Sequence, residues 1–403
     1  MATKTKTISN IKLVIDKQRD FFDSNSTRDI DFRIEQLKKF KKAIQDNEEN
    51  IYAALNADFK KSKFESFATE IGVLYEEISC MLKNVKKWAT PELVKDTIVN
   101  FPSKNYIYHD PYGVTLIIGA WNYPLQLTLA PVIGAIAAGN TCIIKPPRAA
   151  IHTYHVIEKI ISETFNENYL AVLDEHSDNN EMLSYRYDYI FFTGGVEIGK
   201  TIARAAAEYL TPTTLELGGK SPCIVDKLSD VETAAKRIAW GKFLNGGQTC
   251  VAPDYLLLHD AVKEKFYKAF AKSVKEFYGN NPQDSADYPR IINDRHFNRL
   301  AALIKDGDII VGGQTDADTR YIAPTLIEID SLDHPLMSDE IFGPILPVLT
   351  IQSIDEAISI VKQFEKPLAF YIFSNNYANQ QKCLNTVQFG GGCTAEIVSE
   401  KGL

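Results

Sequence analysis

The sequence has little of what metal-binding or disulfide-stapled proteins require. Its six cysteines form no CxxC pair and no His/Cys cluster with zinc-binding spacing. A chain of 403 residues can bury a large core without disulfide bonds. We therefore expect reduced cysteines, no metal site and a cytoplasmic location.

Long hydrophobic runs and an excess of positive charge are also missing. The longest apolar stretch, around residues 131–139, is too short and too interrupted by glycine to span a bilayer. The N-terminus lacks the apolar core of a signal peptide, and the C-terminus shows no hydrophobic anchor. The net charge of −8 argues against general nucleic-acid binding. We therefore expect neither a membrane anchor nor a nucleic-acid partner.

The spacing of apolar residues changes along the chain. Residues 8–90 repeat apolar positions three or four apart, which predicts helices. Short β-branched runs such as residues 113–119 and 141–144 then alternate with helical stretches, and the alternation restarts after Leu215. We predict an α/β fold: two Rossmann-like domains with parallel sheets, preceded by an N-terminal helical segment.

One cysteine lies in a context that is unusual for a core residue. Cys250 follows the polar, glycine-rich residues 245–249, after a predicted helix. A lone cysteine is most often a small buried hydrophobic residue. Thiolate attack on a carbonyl, however, needs an accessible sulfur. The loop favours a nucleophile.

Further polar groups stand at predicted turns and strand ends. Glu216 opens the segment ELGGK and could act as a general base, although a surface position in a turn explains it too. Asn122 in WNYP could donate to an oxyanion, or simply precede a helix. Lys145 and Arg148 follow a strand end, where doubly wound sheets bind nucleotides, but a solvated loop is an equal explanation.

Two more segments are weak signals by themselves. Thr193-Gly194-Gly195, with Gly199 in the following helix, departs from GxGxxG and fits an ordinary strand-to-helix turn equally well. The segment EIFGP, from Glu340, is a compact turn without an assignable role of its own.

The order and spacing of these segments together are specific. With WNYP, KP, FTGG, ELGGK, GQTC and EIFGP, the chain resembles the aldehyde dehydrogenase superfamily along nearly its whole length. It is most similar to the class 3 branch, through LTPTTLELGGKSPCIV and MSDEIFGPILPV. The resemblance implies NAD(P)-dependent oxidation of an aldehyde to a carboxylic acid, through a thiohemiacetal and a thioester on a cysteine.

The resemblance also implies a role for each matched residue. Cys250 would be the nucleophile, Asn122 and the backbone N–H of Cys250 the oxyanion hole, and Glu216 the base that activates water. Tyr123 and Trp240 are candidates for an aromatic wall of the substrate site. The implied coenzyme-binding residues are Lys145, Arg148, Thr193, Gly194, Gly195, Gly199, Leu217, Gly218, Glu340 and Phe342.

The resemblance further predicts the domain organisation. Residues 1–220 would hold the N-terminal helices and the dinucleotide-binding domain, with an oligomerisation β-hairpin near residues 93–112, and residues 221–393 the catalytic domain. Residues 394–403 depart from the family's glycine-rich ending and are interpreted as a truncated tail. In the family this ending completes the substrate tunnel and the intersubunit sheet of the homodimer, so the departure bears on both activity and dimerisation.

A second departure concerns the coenzyme. The family usually has an acidic residue three positions after the KP lysine, whereas this chain has Arg148, which suits a 2′-phosphate. We expect NAD or NADP as coenzyme, with tolerance of or preference for NADP. Three alternatives stay open: an inactive member with a binding or structural role, a CoA-acylating or acyl-phosphate-reducing relative, and an esterase that uses only the thiol.

Overall fold

The chain divides into two compact units. The computed structural model describes residues 10–305 and 307–394. The first unit comprises the chain up to Asp58 together with Ser66–Glu216. The second comprises Phe59–Glu65 and the chain from Leu217 onward, so a short early segment belongs to the later unit. Of the predicted tail, residues 394–403, all but Thr394 lie outside the described residues.

The N-terminal region is helical, as its apolar spacing predicts. In the helix Ile30–Asp46, the side chains of Leu37, Phe40 and Ile44 recur on one face and are fully buried. Its N-cap Asp29 accepts a hydrogen bond from the backbone N–H of Asp31. The helices are α1 Ile11–Asp23, α2 Ile30–Asp46, α3 Glu48–Phe59, α4 Lys63–Ser66 and α5 Gly72–Trp88, with a π-helical turn at Phe67–Ile71 between the last two.

A short antiparallel hairpin follows these helices. Its strands are β1 Glu92–Val94 and β2 Asn105–Ile107, which pair with Leu93 opposite Tyr106. Apolar side chains on and near it are exposed, among them Ile98 at 93% and Phe101 at 79%. A hairpin therefore lies in the predicted region, and its role in oligomerisation stays a prediction.

The first unit contains a five-stranded sheet in the order β5-β4-β3-β6-β7. Strands β3 to β6 run parallel. The chain begins in the middle at β3, winds outward through β4 and β5, and returns to the other side of β3, which makes a doubly wound sheet with a switch point beside β3. The strands are β3 Val114–Ile118, β4 Thr141–Lys145, β5 Leu170–Val172, β6 Tyr189–Gly194 and β7 Thr213–Leu217; the helices are α6 Gln126–Ala138, α7 Ile151–Thr164, α8 Asn179–Leu183 and α9 Val196–Ala207.

The second unit contains a seven-stranded sheet in the order β10-β13-β14-β9-β8-β15-β16. All its neighbours pair in parallel except β10, which is antiparallel to β13. The strands are β8 Pro222–Val225, β9 Tyr255–His259, β10 Asp308–Val311, β11 Thr315–Asp316, β12 Tyr321–Ile322, β13 Thr325–Glu328, β14 Ile345–Ile351, β15 Ala369–Phe373 and β16 Gly391–Thr394, of which β11 and β12 form a separate two-stranded sheet. The helices are α10 Val231–Phe243, α11 Lys263–Tyr278, α12 Asp294–Leu303, α13 Ile354–Val361 and α14 Tyr377–Thr386.

Both faces of the larger sheet are covered. Leu256 and Leu258 on β9 belong to one hydrophobic cluster, and Leu257 between them belongs to the other. Burying each such side chain contributes about 1.5–3 kcal/mol to folding. The predicted α/β fold with parallel sheets is confirmed, and no helix among the described residues is both long and apolar enough to cross a membrane.

Candidate active site

In the first unit, the segment WNYP connects β3 to α6. The side chains of Asn122 and Tyr123 are buried in this loop. The carboxylate of Glu70 accepts hydrogen bonds from the backbone N–H groups of Leu125 (2.9 Å) and Gln126 (3.3 Å). Glu70 therefore satisfies donors at the start of α6 and fixes the loop that carries Asn122. Nothing in the sequence near Asn122 points to Glu70, which is more than fifty residues earlier.

Gly119, at the end of β3, lets the strand and the helix approach closely. A Cβ at this position would overlap the hydroxyl of Thr128 on α6. The backbone N–H of Gly119 donates to the carbonyl of Lys145, 3.1 Å away, across the carboxyl ends of β3 and β4. The Asn122 loop and the Lys145 strand end therefore lie on the same edge of the sheet.

Lys145 ends β4, with its side chain buried. Its ammonium donates to the backbone carbonyl of Asp174, 2.7 Å away, and also to that of Glu175. Burial, helped by the nearby Arg148, lowers the pKa of Lys145 to about 8, while Asp174 and Glu175 oppose the shift. The lysine is thus held in place at the sheet edge beside the switch point.

Arg148 and the FTGG segment border the same edge. The guanidinium of Arg148 is exposed and donates to the carbonyl of Ser177, 2.5 Å away. Thr193 lies near the end of β6, and Gly195 is the N-cap residue before α9. A Cβ on Gly195 would meet no atom within 4 Å, so there is open space at this helix start. A helix N-terminus at the switch point of a parallel sheet suits a pyrophosphate, so these residues fit a dinucleotide.

Glu216 differs from its predicted setting. It is exposed, but it lies within β7, which continues through Leu217, rather than in a turn. The mixture of polar and apolar residues in Thr213–Leu217 hides the strand from a search for apolar runs.

In the second unit, Cys250 follows a tightly built loop after α10. Asn245, Gly246 and Gly247 have φ values of +53°, +61° and +73°. Glycine adopts this left-handed conformation at little cost, so two of these three successive positions suit their residue. The side chain of Cys250 is half-buried and contacts the hydrophobic cluster at its edge.

Hydrogen bonds from distant parts of the sequence hold this loop. The backbone N–H of Asn245 donates to the carboxylate of Glu65, 2.7 Å away. The amide of Gln248 donates to the carbonyl of Asn245 (2.9 Å) and accepts from the N–H of Ile292 (3.0 Å). Gln248 and Asn245 therefore build the loop, a structural role that the sequence did not reveal.

The turn EIFGP lies against both the cysteine loop and ELGGK. A Cβ on Gly247 would overlap the carbonyl of Gly343, and a Cβ on Gly218 would overlap the carboxylate of Glu340. Phe342 has φ +52°, a left-handed conformation that costs a non-glycine residue about 1–3 kcal/mol and is typical of functional sites. The structure therefore brings three predicted segments together within this unit.

Glu340 is a buried carboxyl group in a charged environment. Burial, followed by the charge of Asp254, raises the pKa of Glu340 to about 8. A hydrogen bond from the backbone N–H of Gly219 and the charges of Lys242 and Lys220 act in the opposite direction. Carboxyl groups with strongly shifted pKa values are candidates for functional residues.

The remaining predicted residues lie in different surroundings. Gly199, inside α9, is buried, and Gly194 ends β6. Trp240 is 41% exposed on α10 in the second unit, whereas Tyr123 is buried in the first. The site of the second unit precedes β8, β9 and β14, so it lies at the amino ends of these parallel strands. Doubly wound sheets usually bind ligands at the carboxyl ends.

Comparison with known proteins gives a consistent result. The model of the aldehyde dehydrogenase family matches residues 2–396. The 4,4'-diaponeurosporen-aldehyde dehydrogenase of Staphylococcus aureus is 47% identical over 375 residues, which cover 92% of this chain and 82% of that protein. The protein named "Aldehyde dehydrogenase, dimeric NADP-preferring" from Rattus norvegicus is 42% identical over 393 residues, which cover 97% of this chain and 86% of that protein.

Solved structures agree with the sequence matches. The substrate-bound state of Staphylococcus aureus AldH has a TM-score of 0.95 and 45% identity, and covers 97% of this chain and 86% of that chain. The aldehyde dehydrogenase KauB from Pseudomonas aeruginosa has a TM-score of 0.85 and 22% identity, with 96% and 81% covered, and shows the shared fold alone.

Proposed function

Because the chain belongs to the aldehyde dehydrogenase family, we propose that Cys250 is the nucleophile with which it carries out the reaction of that family. The protein is an NAD(P)-dependent enzyme that oxidises an aldehyde to a carboxylic acid. The observation that carries the proposal is the half-buried thiol of Cys250 that follows a left-handed loop, in which Gly247 lies against Gly343 of the turn EIFGP.

In the proposed reaction, Cys250, Asn122 and Glu216 each have a separate role. The Cys250 thiolate adds to the carbonyl carbon, and the carbonyl oxygen becomes an oxyanion. The amide of Asn122 donates to this oxyanion; one good donor of this kind contributes about 2.7–4 kcal/mol. When bound, the nicotinamide coenzyme would supply the acceptor for the hydride of the thiohemiacetal carbon, so that the carbonyl re-forms as a thioester on Cys250. Glu216 takes a proton from the water that hydrolyses this thioester.

The coenzyme residues divide into two groups. Lys145 would bind the adenosine ribose, and Thr193, Gly194, Gly195 and Gly199 would line the pyrophosphate and adenine end. Their strands β4 and β6 flank β3 at the switch point of the first sheet. The second group would hold the nicotinamide ribose and ring, and comprises Leu217, Gly218, Glu340 and Phe342, of which Gly218 lies against the carboxylate of Glu340.

We also propose the class of substrate. The relative from Staphylococcus aureus, 47% identical to this chain, is named for 4,4'-diaponeurosporen-aldehyde. The proposed substrate class is an apolar aldehyde, long or aromatic, as the resemblance to class 3 implies, with Tyr123 and Trp240 as wall residues. A panel of aliphatic and aromatic aldehydes, followed by the absorbance of reduced coenzyme, ranks the candidates.

Replacement of the proposed nucleophile is the decisive test. Cys250→Ala should abolish aldehyde oxidation, because no other group then forms the thioester. The matched control is Cys393→Ala, which removes the other half-buried cysteine of the same unit and should retain turnover. Turnover of Cys250→Ala near the wild-type rate would refute the assignment.

A further inference from the structure

Lys220 and Asp254 form a buried ion pair that the proposed mechanism does not use. Their side chains are only 7% and 4% exposed. Taking two charges out of water is expensive, and replacing a buried ion pair by apolar residues is often neutral or stabilising. Stability alone therefore gives little reason for this pair, and the reason lies in the other groups that it contacts.

The ammonium of Lys220 has a partner for each of its three N–H donors. It donates to the carboxylate of Asp254 and to the backbone carbonyls of Leu336 (2.8 Å) and Asp339 (3.0 Å). Asp339 is the residue directly before Glu340. The lysine therefore holds the chain where it enters the turn EIFGP.

The carboxylate of Asp254 holds the other side of Glu340. One of its oxygens accepts from Lys220, and the other accepts from the backbone N–H of Ile341, 2.9 Å away. Ile341 directly follows Glu340. Hydrogen bonds in which one partner is ionised are stronger than those between neutral groups. The ion pair thus fixes the backbone on both sides of Glu340.

The strand order explains why these groups meet. Lys220 lies just before β8, Asp254 directly precedes β9, and the turn EIFGP directly precedes β14. In the larger sheet β9 is the middle strand of these three and runs parallel to both neighbours. Asp254 therefore lies between the other two segments at the amino ends of the strands.

The fixed backbone adjoins a strained residue. Phe342, with φ +52°, directly follows Ile341. A non-glycine residue keeps such a conformation only where the surrounding structure holds it. The hydrogen bond from Ile341 to Asp254 is one such contact, and it comes from the protein itself.

We propose that Lys220 and Asp254 are positioning residues of the coenzyme site, whose ion pair holds Glu340 and Phe342 in the conformation that receives the nicotinamide ribose and ring. A turn that is ordered in advance does not have to be ordered by the coenzyme, which strengthens binding. The inference rests on the proposed function in one respect: the turn EIFGP must contact the coenzyme. The ion pair itself acts through the backbone of that turn.

The test is the double variant Lys220→Met/Asp254→Asn, which removes both charges and keeps side chains of similar length. It releases the carbonyl of Asp339 and leaves Ile341 with a weaker, neutral acceptor. The dissociation constants for NAD and NADP, measured by titration well below the melting temperature, should rise about tenfold, because the coenzyme must then order the turn. Dissociation constants equal to those of the wild type would overturn the inference.

The matched control is Lys263→Met/Glu328→Gln. These two residues form a partly buried ion pair of the same unit, and Glu328 ends β13 at the carboxyl end of the sheet. Among the residues that the structure describes, the side-chain bonds of this pair reach Tyr267 but not the turn EIFGP. The control should bind NAD and NADP as the wild type does, even if its melting temperature falls. An equal loss of binding in both double variants would contradict the positioning role.

Hydrogen exchange on the wild type tests the inference without any variant, and decides it if the double variant does not fold. If the ion pair orders the turn, the backbone N–H of Ile341 should already exchange slowly before coenzyme is added. Rapid exchange of residues 338–342 that slows only when NAD or NADP is present would show that the coenzyme orders the turn. That result would overturn the inference.

Glu340→Ala separates this inference from the proposed function. If Glu340→Ala binds NAD and NADP as tightly as the wild type, the proposed contact of Glu340 with the coenzyme is wrong, and the inference fails with it. If Glu340→Ala binds weakly but the double variant of the ion pair binds normally, the inference about Lys220 and Asp254 alone is wrong.

Discussion

Arg148 stands three positions after Lys145, on the loop that leaves β4. Its guanidinium is exposed and is held by the carbonyl of Ser177, so the remaining N–H groups can face a ligand. A curated relative, 42% identical, is named NADP-preferring. We propose that Arg148 binds the 2′-phosphate of NADP.

Arg148→Glu should reverse the coenzyme preference. A carboxylate at this position repels the 2′-phosphate but can accept from the ribose hydroxyls. We expect kcat/KM for NADP to fall about tenfold to a hundredfold, equivalent to about 1.4–2.8 kcal/mol, while that for NAD is kept or rises. Arg186→Glu, which changes the charge of an exposed arginine elsewhere in the first unit, is the control. Equal losses for NAD and NADP would contradict the assignment.

The sequence indicated the candidate catalytic residues but not the residues that hold their loops in place. Cys250 stood out because polar and glycine residues precede it. Glu65 did not, because a glutamate in a helical stretch normally lies in water. Its burial goes with a contact to Asn245, far away in the sequence, which local patterns do not record.

At the scale of the elements, the conformation of the loop before Cys250 depends on two glycines. Gly246 and Gly247 both have positive φ, but a Cβ on Gly246 would have its nearest neighbour at 3.5 Å, whereas a Cβ on Gly247 would overlap the backbone of Gly343. An alanine at position 246 therefore adds backbone strain alone, whereas an alanine at position 247 adds strain and a steric clash.

Gly246→Ala and Gly247→Ala form a matched pair. Gly246→Ala should cost roughly 1–2 kcal/mol of stability from the left-handed backbone alone. Gly247→Ala adds the clash, so we expect a larger loss of stability and a loss of activity of at least tenfold, because the loop and the Glu340 turn must separate. Chemical denaturation and steady-state kinetics measure the two effects. Equal behaviour of the two variants would show that the close approach to Gly343 is unimportant.

The strands were predictable to different degrees. Buried, β-branched strands such as β3 and β4 appear as apolar runs bounded by glycine or proline, so the sequence located them within a residue or two. β7 was missed, because its half-exposed residues include Glu216. The segments ELGGK, GQTC and EIFGP lie at the amino ends of β8, β9 and β14. This placement could not be predicted, since strand order depends on long-range pairing.

At the scale of the whole molecule, the hairpin and the residues between its strands expose a group of apolar side chains. Leu93, Ile98, Val99 and Phe101 are each at least 67% exposed. Apolar side chains clustered on a surface often mark an interface. A relative at 42% identity carries the word dimeric in its name. We propose that the hairpin mediates a homodimer of this chain.

Ile98→Asp combined with Phe101→Asp should convert the dimer to a monomer. Two buried charges in an interface are expensive, so light scattering after size-exclusion chromatography should give half the wild-type mass. Leu210→Asp, which places a charge on an apolar residue 90% exposed elsewhere, is the control and should remain dimeric. A wild type that is monomeric at micromolar concentration, or a double variant of unchanged mass, would remove the hairpin from this role.

The assignment of Phe59–Glu65 to the second unit has a consequence for dissecting the enzyme. A fragment that starts at Leu217 would lack the carboxylate that holds Asn245 and the carbonyl of Phe59 that receives the N–H of Arg290. During synthesis, this seven-residue segment leaves the ribosome more than 150 residues before its partners. We therefore expect a fragment that starts at Leu217 to be less stable than the same unit in the whole chain, and split or circularly permuted versions of the enzyme to need this early segment.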